Sequence, residues 1–151
     1  MISAEVLADN TSWKKKLINN KIFFIKILRG FPKKYKFVNK KVIITVLLSN
    51  NKKIKKLNKL FRKKNKPTDI LSFPIKNKIK NNVFYLGDII ISYDFMNKPS
   101  SISVQEFKKK VTKIFIHGFL HLKGFDHSNN FDYEKMNKEE SKIYNMVKSK
   151  I

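Results

Sequence analysis

The sequence has no cysteine, one tryptophan, four glycines, four prolines and only 11 acidic residues among 151. Without cysteine there are neither disulfides nor thiolate ligands, so any transition metal must be held by histidine, carboxylate or water. Long apolar runs are missing too. The longest, residues 22–25 and 42–48, fall far short of the roughly 20 residues that span a bilayer, so no membrane partner is expected. The start, Met1-Ile-Ser-Ala-Glu, reaches three lysines at 14–16 before any apolar run, unlike a secretory signal, and by elimination the chain is expected in the cytoplasm. No linker-like stretch or internal repeat interrupts it, and its length suits one domain over residues 1–151 with a full core.

Arginine is nearly absent: Arg29 and Arg62 stand against 32 lysines, and the formal net charge is +23. Such a field gathers polyanions and speeds their encounter, which makes nucleic acid the natural partner class. A coding bias toward lysine, asparagine, isoleucine and phenylalanine accounts for the excess equally well, so charge alone gives RNA little support. Against that background each retained arginine is a modest clue. Its planar fork grips a phosphate through two hydrogen bonds, which a lysine ammonium cannot do.

What is present is a succession of patterned segments. Ile2–Leu7 reads as a first strand, and Asp9, Asn10 and Thr11 offer caps for a helix running to about Leu28, ended by Gly30 and Pro32. Val42–Leu48 reads as a buried strand. Ser49 or Asn50 can cap a helix with Ile54, Leu57, Leu60 and Phe61 on one face and lysines as a solvated face on the other. Pro67 breaks the pattern; Asp69–Ile75 and Val83–Ser92 follow as strands around a polar turn at Asn77–Asn82. Ser103, with Glu106 three residues on, forms a capping box for a helix through Leu122, and Gly124 is placed to end it. A last helix covers about Tyr133–Val147, with Met136, Ile143 and Met146 expected to pack on the body.

All three histidines fall within one short run, His117-Gly-Phe-Leu-His121-Leu-Lys-Gly124-Phe-Asp-His127. His117 and His121 are four apart, so both rings leave the same helix face about one turn apart and can share a metal at about 2.0–2.1 Å. Gly124 can take a left-handed conformation and turn the chain back, letting His127 complete a three-nitrogen face. Three protein ligands leave a position open for water, as in catalytic zinc sites. The spacing equals that of the zinc protease motif His-Glu-x-x-His-x-x-Gly-x-x-His, but Gly118 occupies the place of the catalytic glutamate, so a protease of that mechanism lacks its base.

Upstream lies Asn58-Lys-Leu-Phe-Arg62-Lys-Lys-Asn-Lys-Pro67-Thr68-Asp69-Ile-Leu-Ser72-Phe73-Pro74, then Leu86-Gly87-Asp88-Ile89. Read by itself, Arg62 serves equally as a cation facing the helix dipole, Thr68 and Asp69 as turn formers and Ser72 as a strand residue. Taken together with the histidine run, these segments resemble the YbeY family of bacterial endoribonucleases, also called rRNA maturation factors. The likeness covers the central and C-terminal two-thirds by motif. It implies a zincin-like α+β fold, a small mixed sheet of about four strands with about five helices. It also implies one zinc ion per chain on His117, His121 and His127, and a functional arginine at Arg62. Met136 and Glu140 fit the family's last helix in structural roles. Phe61 and Phe125 stand where tyrosine is common, and the lysine content is unusual for the family.

The resemblance further implies single-strand-specific RNA cleavage, maturation of the 16S rRNA 3' end and ribosome quality control, with rRNA and ribosomal components as partners and no DNA. The expected chemistry is metal-assisted phosphodiester cleavage with Arg62 balancing developing charge. Asp126 is expected to orient a histidine, though it could instead act as base. The alternatives are a ribosome-associated assembly factor whose zinc mainly braces an RNA-binding surface, and a metallohydrolase of another substrate.

Overall fold

The computed structural model describes the backbone of residues 1–151 and all side chains except those of residues 76–80. Four strands form one mixed sheet: β1 (Ile2–Ala8), β2 (Lys41–Ser49), β3 (Ile70–Lys80) and β4 (Val83–Ser92). Six helices accompany them, one more than expected: α1 (Trp13–Lys16), α2 (Asn20–Arg29), α3 (Asn51–Arg62), α4 (Tyr93–Met96), α5 (Val104–Leu122) and α6 (Asn130–Val147). Two departures from the sequence reading make up the six: the short α4 after β4 is not among the helices expected, and the single helix expected after β1 is broken. Leu17 is extended and buried, and Asn19 starts a new helix by accepting from Ile22 N at 3.0 Å. The break lets Trp13 sink into the core, where its indole donates to Ser49 O at 3.0 Å and its ring meets Tyr93 and Phe107 edge-on.

The strand order is β1-β2-β4-β3, with β1, β2 and β4 parallel and β3 antiparallel on the edge. Strand period two then divides the sheet's work. Val42, Ile44, Val46 and Leu48 of β2 and Ile89 and Ile91 of β4 belong to the main core with Phe24 and Ile27 of α2 and Phe107, Val111, Phe115 and Phe119 of α5. The opposite face is covered by α3 through a smaller cluster, Ile54 with Leu71 and Ile90, flanked by Leu47, Leu57 and Phe73. Adjacent residues of β3 therefore serve different layers. At the β3–β4 hairpin, Asn81 and Asn82 are both left-handed, with φ of 54° and 62°, as a tight two-residue turn requires. The part of the expected turn on residues 77–80 lies outside the described side chains.

Three expected packing roles are corrected. Leu60 and Phe61 of α3 are exposed; the inward place goes to Asn58, whose amide donates to Lys66 O at 2.8 Å and ties down the chain beyond the helix. That helix is capped by Asn50 and ends at a left-handed Lys63, ahead of Pro67. Met146 of α6 is exposed, while Met136, Ile143 and Val147 are buried.

A candidate metal centre at the end of α5

The amphipathic pattern of α5 begins where Ser103 Oγ accepts from Glu106 N at 3.1 Å. The Glu106 carboxylate pairs with Lys109 at 2.8 Å, leaving only one arm of the expected capping box among the described contacts. At the other end Gly124, with φ of 91°, closes the helix: its N–H reaches His121 O at 3.0 Å and Phe125 N reaches Leu120 O at 3.0 Å. These are the paired bonds of a Schellman motif, and the glycine expected to stop the helix does so. The turn carries the Phe125 carbonyl back under His121 and delivers His127 beside the other two rings.

The three imidazoles converge. Ring centroids are 4.6 Å apart for His117 and His121, 5.1 Å for His121 and His127, and 5.6 Å for His117 and His127. One ligating nitrogen from each lies within 4.8 Å of the others, an arrangement that could hold a metal ion. The partners of the remaining nitrogens select which atoms face it. His117 Nδ1 lies 2.6 Å from Glu140 Oε1 and His121 Nδ1 lies 2.9 Å from Phe125 O. Both acceptors require a proton on Nδ1, which leaves each Nε2 with a free lone pair. Those two Nε2 atoms are 3.1 Å apart. Two nitrogens on one tetrahedral zinc at about 2.0–2.1 Å stand about 3.3–3.4 Å apart, so the donor set fits such an ion with a small adjustment. Burial, reinforced by the neighbouring His117, pushes His121 below the ordinary histidine pKa and favours its neutral, ligating form.

Glu140, on α6, is the orienting residue, and sequence reasoning assigned that part to Asp126. The Asp126 carboxylate instead accepts from the adjacent His127 N at 2.7 Å, shaping the turn. Glu140 lies 23 residues from His117 in the chain, and only the packing of α6 on α5 brings them together. The family resemblance singles out Glu140, with Met136, for a structural role on the last helix; its contact with His117 is what the sequence does not show. The open side of the site is a cleft of about 210 Å³ between His117, His127, Tyr133, Met136, Asn137 and Glu140. His127 is exposed there, and Tyr133 and Asn137 are lining residues that the sequence did not single out.

Gly118 explains its own identity. It faces the sheet: a Cβ there would lie 2.6 Å from Ile70 Cδ1, 3.0 Å from Ser72 Oγ and 3.3 Å from Ile89 Cγ2. The position that carries the glutamate in zinc proteases here points into the α5–β3 contact, where even a Cβ would press on Ile70, Ser72 and Ile89. Arg62 is the last residue of α3, on the far layer, and is exposed; among the described residues no hydrogen bond or ion pair ties it to the histidines. No described helix is long and apolar enough to cross a membrane.

Comparison with known proteins agrees with these features. A 60% identical relative in Pelagibacter ubique, described as Endoribonuclease YbeY, aligns over all of this chain and 99% of its own length. A relative of the same description in Buchnera aphidicola is 41% identical over 85% of this chain and 81% of its own. Among solved structures, a Thermotoga maritima protein determined in solution superposes with a TM-score of 0.50 at 27% identity, covering 99% of this chain and 93% of the other. The profile of the family described as Endoribonuclease YbeY matches residues 7–148, and the chain belongs to that family.

Proposed function

We propose that this chain, acting as one domain, is a zinc-dependent endoribonuclease of the cytoplasm that cleaves single-stranded RNA and serves 16S rRNA 3'-end maturation and ribosome quality control. RNA and ribosomal components are its partners, and DNA is not. The observation that carries the reading is the convergence of His117, His121 and His127 with two Nε2 atoms freed by Glu140 and the Phe125 carbonyl. These three histidines would hold one zinc ion, which when bound supplies Lewis acidity toward a phosphoryl oxygen and toward water.

The chain's own groups do the rest. Glu140 holds the proton on His117 Nδ1 and fixes the ring's orientation. The exposed His127 side and the cleft beyond it admit a phosphodiester. The family resemblance gives Arg62, a fork of fixed charge at the exposed end of α3, the task of balancing negative charge on phosphate; on the layer away from the histidines it would do so on an RNA that reaches both places. The surrounding excess of lysine draws the polyanion in. With Gly118 turned into the sheet, no side chain at that position can serve as a base, which removes the protease chemistry of the related spacing.

The test is incubation of the purified protein with single-stranded and duplex RNA of the same sequence, with chelator, without it, and after zinc is restored. Cleavage of the single strand that vanishes with chelator and returns with zinc is expected. Cleavage indifferent to chelator, or none under any condition, would overturn the proposal.

A further inference from the structure

On the sheet face away from the histidines, α3 leaves two large apolar side chains in solvent: Leu60 at 72% and Phe61 at 61% exposure. Phe61 continues the inward stripe of Ile54 and Leu57 at helical spacing, yet it is not covered. Its ring meets Phe73 edge-on at 5.2 Å, and Phe73 belongs to β3, the edge of the sheet. The uncovered ring thus stands at the sheet's margin with a second aromatic fixing its plane.

The surroundings say what kind of partner suits it. From Asn51 to Thr68 there are nine cations and no carboxylate, and all nine are exposed. Lys52 and Lys53 lie in the first turn of α3, where the helix dipole disfavours positive charge, and Lys52 and Lys56 repel at four-residue spacing, as do Lys55 and Lys59. Among the described contacts only Lys53 has a carboxylate partner, Asp9 at 3.7 Å. A second copy of this surface would be repelled, whereas an anionic chain with flat apolar faces is matched in both respects. Lysine is abundant throughout the protein, so the charge alone marks no place. The exposed ring within it does.

We propose that Phe61, steadied by Phe73, is a stacking platform for an unpaired base of RNA, with the α3 lysines gripping the phosphates on either side. The inference rests on RNA being the substrate, and it gives a physical origin for single-strand preference, because a duplex has no free base face to offer. Consecutive β3 residues face opposite layers, Ser72 toward Gly118 of α5 and Phe73 toward α3. A strand held at both places therefore passes around the sheet edge on its way to the histidines. Phe61 is a binding residue on this path and touches no reacting atom.

The test is fluorescence anisotropy of the full-length protein as purified, with labelled single-stranded RNA of roughly 12 nucleotides and with a duplex of equal length, over a range of salt. Intact RNA is measured in parallel on gels, and thermal melting confirms that each variant is folded. Phe61→Ala and Phe61→Leu are expected to weaken single-strand binding between about five- and 150-fold, with the salt slope unchanged and duplex binding unaffected. Phe61→Tyr should bind as the wild type does. Lys56→Ala should instead flatten the salt slope by about 0.7, the loss of one phosphate contact. Wild-type affinity in Phe61→Ala would overturn the inference, as would an equal loss for duplex. So would loss of binding to anionic phosphatidylglycerol vesicles in that variant with RNA binding intact, which would give the surface to a membrane. The two readings fail separately: absence of any metal-dependent product with the Phe61 binding effect intact removes the nuclease proposal alone.

Discussion

Replacing Gly118 with alanine puts the smallest possible side chain into the contact between α5 and β3. Its Cβ would stand 2.6 Å from Ile70 Cδ1, about 1 Å inside the usual carbon separation of about 3.5–4.0 Å, and 3.0 Å from Ser72 Oγ. Ile70 can swing its terminal methyl partly away, but the new Cβ also stands 3.3 Å from Ile89 Cγ2, so more than one neighbour must give. Overpacking of this kind costs about 1–3 kcal/mol, and alanine's better helix propensity returns at most about 1. A net loss of about 1–2 kcal/mol is expected, a fall in melting temperature of roughly 2–8 °C for a chain of this length. Because His117 is the adjacent residue, the same displacement is expected to weaken zinc binding. Thermal melts and competition with a chromophoric chelator measure both. A variant as stable as the wild type, or more so, would refute the packing argument. Gly118→Glu, which restores the protease motif in letters, should lose more stability and gain no peptide hydrolysis.

Glu140→Ala should lower zinc affinity about 10- to 100-fold by releasing His117 Nδ1, while Glu140→Gln, whose carbonyl still accepts that proton, should lose less; chelator competition reads both. Arg62→Ala should reduce RNA cleavage by about 10- to 150-fold, the loss of a charged hydrogen bond to phosphate, with zinc content and melting temperature unchanged, since its side chain is exposed and holds no described partner. Tyr85, whose hydroxyl bonds both Thr45 and Asp88, is pushed up to about 12 by burial first and by the Asp88 carboxylate next. Its neutral form is favoured in the folded state, so its contribution to stability is intact below about pH 10 and is lost as pH rises toward 12. Ultraviolet titration of tyrosinate should show a tyrosine resisting ionisation until that range, and Tyr85→Phe should remove that late step.

Much of this architecture could be read from residue order because its signals are local. The Asn50 and Ser103 caps, the β-branched run of β2 and the Gly124 stop each act within a few residues, and each appears where the pattern puts it. The histidine cluster was legible for the same reason: two ligands sit one helical turn apart and the third follows a single turn of chain. What escaped depends on distant partners. The helix break at Leu17 answers the demand of Trp13 for Ser49, Tyr93 and Phe107. Glu140 is recognisable as a partner of His117 only once α6 lies on α5. The exposure of Leu60 and Phe61 follows from where the sheet ends beneath α3, a boundary that helical periodicity does not encode.

The most direct measurement compares metal content and RNA cleavage in the wild type and His121→Ala. The wild type should carry one equivalent of zinc and cut single-stranded RNA, and the variant, still folded by thermal melting, should have lost both together. A folded His121→Ala protein that cuts RNA without zinc would contradict the assignment of the three histidines as the seat of the chemistry.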